Sequence, residues 1–79
     1  MYSQKKIQIA AKLTELNDVI DSLDIMLEEY EDIKNIVNRA NLIIGGKYDS
    51  LDYVIQESQI DLCLNSLDNM ISRFRKRIK

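Results

Sequence analysis

Cys63 is the one cysteine of the chain, which has no histidine, so a nucleophile here would be a thiol with no imidazole to activate it. Its neighbours Leu62 and Leu64 carry no charge that would favour the thiolate, and Cys63 reads as a small apolar group of the interior. The carboxylates Glu15, Asp18, Asp21, Asp24, Glu28, Glu29, Glu31 and Asp32 lack the Glu-x-x-His pairing that holds metals inside helical bundles. They read as a solvated face. Gly45-Gly46-Lys47 lacks the glycine spacing and the following Ser or Thr of a phosphate loop, and Tyr2, Tyr30, Tyr48 and Tyr53 do not interleave with basic residues as base-stacking platforms do. With no pocket in evidence to shift a carboxylate or lysine pKa, the expectation is a non-enzymatic chain with no cofactor and no metal.

The elements that would position these residues are helices. Seventy-nine residues with 11 basic and 13 acidic side chains, net charge −2, no proline and only two glycines exclude a multidomain enzyme and a polyelectrolyte tail. Apolar residues fall at Ile9, Leu13, Leu16, Ile20, Leu23, Leu27 and Tyr30, an alternation of fours and threes that only a helix places on one face. They continue at Ile33, Val37, Ala40 and Ile44. The pattern predicts one long helix from about Ser3, as N-cap, to Ile44, about 60 Å in length. Gly45-Gly46 then supplies a residue able to turn left-handed, and Asp49 or Ser50 caps a second helix that runs to about Ile78. The predicted fold is thus all-α: a single antiparallel two-helix hairpin domain over residues 1–79.

The second helix carries apolar residues on two sides. Leu51, Val54, Ile55 and Leu62 share one side; Ile60, Leu64, Leu67, Ile71, Phe74 and Ile78, with Tyr53, share the other. Either it breaks near Ser58, where Ser58-Gln59-Ile60-Asp61 resembles a capping box, or it continues and meets different neighbours above and below. Absence of Gly and Pro favours continuity. The first helix shows a related excess, with Ile25 and Ile36 recurring on its far side. Two rods joined once leave much of this surface wet, so the chain is expected to associate, with itself or with another helical protein, into a four-helix bundle. The expected outer contacts are Ile25, Ile36, Leu51, Val54, Ile55 and Leu62. Ile20, Leu23, Leu27, Leu64, Leu67 and Ile71 form the expected internal seam.

Charge is segregated along the chain. Lys5, Lys6 and Lys12 come first, then the acidic run, and the chain ends with Arg73, Arg75, Lys76, Arg77 and Lys79. Alone, that basic cluster invites a nucleic-acid reading. A hairpin folded at the glycines instead brings Arg73, Arg75 and Arg77 near Asp18, Asp21 and Asp24, and this internal complement is the favoured reading over polyanion binding. The first helix should overhang the second, leaving residues 3–13, with Ile7 and Ile9, as a further candidate contact. No apolar run approaches the ~20 residues of a membrane span, and the first residues lack a signal-peptide core. A cytoplasmic location, or export by a route without a signal peptide, is expected.

Two helices around a glycine-containing turn resemble the WXG100-like superfamily and the helical partners of LXG toxins in bacterial type VII secretion. Ile44-Gly45-Gly46 stands where that family's Trp-x-Gly turn would be, with isoleucine for tryptophan. Tyr48-Asp49-Ser50-Leu51-Asp52 has the spacing of the family's aromatic-x-x-x-acid export motif, but it begins the second helix instead of following it. The resemblance implies an adaptor or chaperone-like partner for a secreted protein. Small phage or plasmid regulators and inhibitors share the same gross form, and binding of nucleic acid or a protein target through the basic cluster is the alternative.

Overall fold

The apolar stripe runs on through residues 22–26 at Leu23, but the helix does not; Ser22 and Asp24 there are only mildly unfavourable to helix, so the break has to come from packing. In the computed structural model, which describes residues 2–78, three helices result: α1 (Tyr2–Asp21), α2 (Leu27–Ile44) and α3 (Tyr53–Arg75). The described residues contain no strand. α1 ends in tight turns, with the Ser22 and Leu23 amides donating to the Val19 and Ile20 carbonyls at 3.2 and 3.0 Å. Met26 is extended (φ −71°, ψ 153°) and precedes α2, its N–H donating to Glu29 Oε1 at 3.1 Å. The expected single helix from Ser3 to Ile44 is therefore two, and Ser3 lies inside α1 instead of capping it.

Folding back at residues 22–26 lets α2 bury a face that a straight rod would leave in water. Ile33, Ile36, Ala40 and Ile43 of α2 join Ile9, Leu16 and Val19 of α1 and Ile60, Cys63, Leu67, Met70, Ile71 and Phe74 of α3 in one apolar core. Each of the Ile, Leu, Val, Met and Phe side chains among them, fully buried, contributes about 1.5–3 kcal/mol. Ile36 is covered by the chain itself and Ile25 in part, so the shortage of cover expected of a hairpin is removed on α2, while Leu51, Val54, Ile55 and Leu62 stay exposed.

Ion pairs report the helix directions. Lys5 Nζ meets Glu57 at 2.8 Å and Asp61 at 3.3 Å, Lys12 pairs with Asp68, and Arg75 meets Glu15 at 2.9 Å. The numbers rise together, so α3 runs parallel to α1, and α2 returns between their opposite ends. No overhang is left at the start of α1, where Ile9 is fully buried and Lys5 is paired.

α3 is continuous through Ser58. Its cap is Asp52, whose side chain accepts from the Val54 N–H at 3.1 Å, in place of the expected Asp49 or Ser50. Gly46 takes φ 89° in the turn after α2, as the glycine pair predicts. No helix of the described residues is long and apolar enough to cross a membrane. The molecule measures 41 × 22 × 16 Å and its radius of gyration is 13.2 Å, against about 11.6 Å for a compact chain of this length. This elongation leaves surface to spare: 5445 Å² is accessible, where the mass alone predicts about 4,900 Å².

Candidate protein-binding surface

The first half of α3 presents an apolar face away from the core. The core-facing residues Ile60, Cys63, Leu67, Met70, Ile71 and Phe74 lie on one side of α3; Val54, Ile55 and Leu62 lie on the other and are exposed, Val54 by 72%. Leu51 joins them from the turn. Gln56 holds that turn in place, its side-chain amide donating to the Asp49 carbonyl at 2.8 Å and to the Leu51 carbonyl. Lys6 fastens the same turn to α1 through Asp49, at 3.2 Å. Beyond Leu62 the outer side of α3 turns polar, with Asn65, Asn69 and Ser72 exposed.

Four of the six expected outer contacts, Leu51, Val54, Ile55 and Leu62, are thus brought together on one exposed face. Ile36 is a core residue, 9% exposed, and Ile25 is half-buried against the core in the α1–α2 connection. Both were placed outside on the assumption of a straight first helix, and the bend reverses that. In the expected seam, Leu67 and Ile71 are buried, while Ile20, Leu23 and Leu64 pack partly buried against the core. Leu27 departs from it: 80% of the side chain is in water.

The basic C-terminus is engaged with carboxylates, as an internal complement requires, though not with those expected. Arg75 pairs with Glu15, and Arg77 donates to Glu29 at 2.6 Å and to the Asp24 carbonyl at 3.0 Å. The Arg73 and Arg77 guanidiniums lie 5.2 and 5.6 Å from the centre of the Phe74 ring, a distance at which a cation is drawn to the π face. Lys76 lines a charged cleft of about 500 Å³ with Lys12, Glu15, Asp68 and Arg75. Lys79 lies outside the described residues. Asp18 and Asp21 are exposed, and no salt bridge of the described residues joins them to the cluster.

Electrostatics at two of these pairs follow from hydrogen bonding. The Arg77 guanidinium and the Met26 N–H hold the Glu29 carboxyl below its ordinary range. The Glu57 carboxylate, with Asp61 beside it, raises Lys5. Burial pushes the Cys63 thiol up, against a smaller opposing pull from Arg39, so the thiol stays protonated and has no nucleophilic character at neutral pH.

A second concave surface is invisible to a straight-helix reading. Between α1 and α2 runs a cleft with Leu13, Asn17 and Ile20 on one wall and Tyr30, Ile33 and Val37 on the other, made of two adjoining parts of about 290 and 400 Å³. Residues that share one stripe of a single helix cannot face each other; they do so here because the helix folds at residues 22–26. No family model, curated protein or solved structure matches the chain.

Proposed function

We propose that the chain is a non-enzymatic protein-binding module, an adaptor or chaperone-like partner that lays the apolar face of α3 against a helix of another protein. The observation that supports it is the exposure of Leu51, Val54, Ile55 and Leu62 on the side of α3 opposite the core. A helix placed there makes a four-helix arrangement, with the apolar residues at the spacing an incoming amphipathic helix reads. A role beside an exported protein, as the likeness to type VII secretion hairpins implies, is one form that such binding would take.

The test is a Leu51→Asp, Val54→Asp double variant. Both side chains are exposed, so circular dichroism and the unfolding midpoint should stay close to those of the parent chain. An interface would instead have to bury two unpaired charges and should fail. The reading predicts that a protein recovered with the parent chain at a fixed stoichiometry by light scattering is lost from the variant. Retention of that protein by the variant, or a chain that remains alone and monodisperse beside the products of its neighbouring genes, overturns it.

A further inference from the structure

The bend between α1 and α2 sets local pattern against overall fold. Ile9, Leu13, Leu16, Ile20, Leu23, Leu27 and Tyr30 form one stripe on an unbroken helix, yet Leu27 is 80% and Tyr30 58% exposed, and Met26 beside them is also in water. Residues 22–26 contain neither Gly nor Pro, so nothing in their chemistry forbids helix. The bend is held by the partial burial of Leu23 and Ile25 against the core and by polar contacts at the surface: Arg77 donates to the Asp24 carbonyl and pairs with Glu29, and the Met26 N–H donates to Glu29. A conflict of this kind between levels marks a sequence with a second low-lying arrangement.

The pairing across the α1–α2 cleft is one that such an arrangement can reuse. Residues equidistant from Ile25 share its walls: Ile20 with Tyr30, Asn17 with Ile33, and Leu13 with Val37. If residues 22–26 become helical, α1 and α2 fuse into one rod of about 65 Å. Two such rods crossing antiparallel about a two-fold axis near Ile25 place Ile20 of one copy beside Tyr30 of the other, and Leu13 beside Val37. Every α1–α2 contact is then remade between copies. The same axis adds one contact the bent form lacks, Leu23 of each copy on Leu27 of the other, which covers the side chain the bend leaves most exposed.

We infer that a second copy of this chain is a partner of the α1 face, in a domain-swapped homodimer in which α1 of each copy crosses to the α2–α3 hairpin of the other. Such an exchange closes as a two-fold pair and uses contacts already present in the single chain. Lys5 and Lys12, which pair with Glu57, Asp61 and Asp68 within one chain, form the same pairs between copies. The dimer does not involve the α3 face of Leu51 and Val54, so this inference stands apart from the function proposed above.

Two measurements test it. Leu27→Pro suits the bent chain, because Leu27 is the first residue of α2 and Met26 before it already has the extended backbone that a following proline demands. The same proline sits inside the fused rod and breaks it. After refolding at high protein concentration, sedimentation should show a dimer for the parent chain, and in Leu27→Pro a dimer population reduced by roughly a hundredfold or more, the effect of one interior proline. The second measurement uses the parent chain alone, refolded from a mixture of light and isotopically heavy protein and coupled with a zero-length amine–carboxyl reagent. In an equal mixture, light–heavy Lys12–Asp68 links should reach the share that random pairing allows in the dimer fraction, about half, and be missing from the monomer fraction. A parent chain that stays monomeric after concentrated refolding, a Leu27→Pro dimer as abundant as the parent's, or a dimer whose Lys12–Asp68 links all lie within one copy overturns the inference. Leu27→Pro leaves Leu51 and Val54 in place, and Leu51→Asp with Val54→Asp leaves the bend in place, so the two proposals fail separately.

Discussion

Glu29 joins three parts of the chain. Its carboxylate accepts from the Met26 N–H at the start of α2 and from Arg77 just beyond α3, which also reaches the Asp24 carbonyl. A negative charge in the first turn of α2 also suits the helix dipole. Because these donors hold its folded pKa below the ordinary value of 4.5, the stability Glu29 contributes is fully present above that value and is lost as pH falls through the lower, folded one. Thermal melts should show Glu29→Gln melting below the parent at neutral pH, with the gap closing once the parent's carboxylate is protonated. A gap unchanged in acid would mean that the charge of Glu29 does not matter. Lys5 has the opposite sign: its raised pKa makes its pairs with Glu57 and Asp61 fade only as pH climbs past 10.5.

Among the elements, the turn after α2 rests on one conformational requirement. Gly46 sits at φ 89°, and a Cβ there would come within 2.9 Å of the Asp49 carboxylate, the group that ties the turn to Lys6. Gly46→Ala should therefore lower unfolding free energy by about 1–2 kcal/mol, read from urea denaturation. A neutral result would mean that the turn relaxes to another geometry. This requirement was legible in the sequence, because a glycine pair at the end of an apolar stripe states it directly. The α1–α2 break was not. Ser22, Leu23, Asp24, Ile25 and Met26 carry no punctuation residue and continue the stripe, so local pattern favours one helix there while the burial of Ile33, Ile36, Ala40 and Ile43 favours two.

At the scale of the molecule, stability depends on a core that draws on all three helices. Phe74 is fully buried at the end of α3 where Arg73 and Arg77 flank its ring. Phe74→Ala should cost about 3–5 kcal/mol, a large share of the roughly 4–12 kcal/mol expected for a chain of this length. Chemical denaturation followed by circular dichroism should show the variant unfolding at a much lower denaturant concentration than the parent. A loss below about 1 kcal/mol would place the stabilising contacts elsewhere. The exposed pairs add little by comparison; Lys5–Glu57 and Lys12–Asp68 follow from α3 lying parallel to α1, an arrangement that an antiparallel hairpin would not give. The sequence-based expectation put the C-terminal arginines beside residues 16–24. They arrive at Glu15 and Asp24 by another route, because a parallel third helix and an antiparallel second one reach the same stretch of α1.

By itself the sequence determined helical class, the glycine turn and the two-sided character of α3, because each is a local matter of period and backbone freedom. It also singled out Leu51, Val54, Ile55 and Leu62, since a helix with opposed apolar sides can turn only one of them to a core. The number of helices, the inward place of Ile36 and the α1–α2 cleft were decided by tertiary structure alone. Those depend on whether the free energy of burying the second stripe exceeds that of continuing one helix through residues 22–26. That balance is struck between residues far apart in the chain, and no local spacing records it.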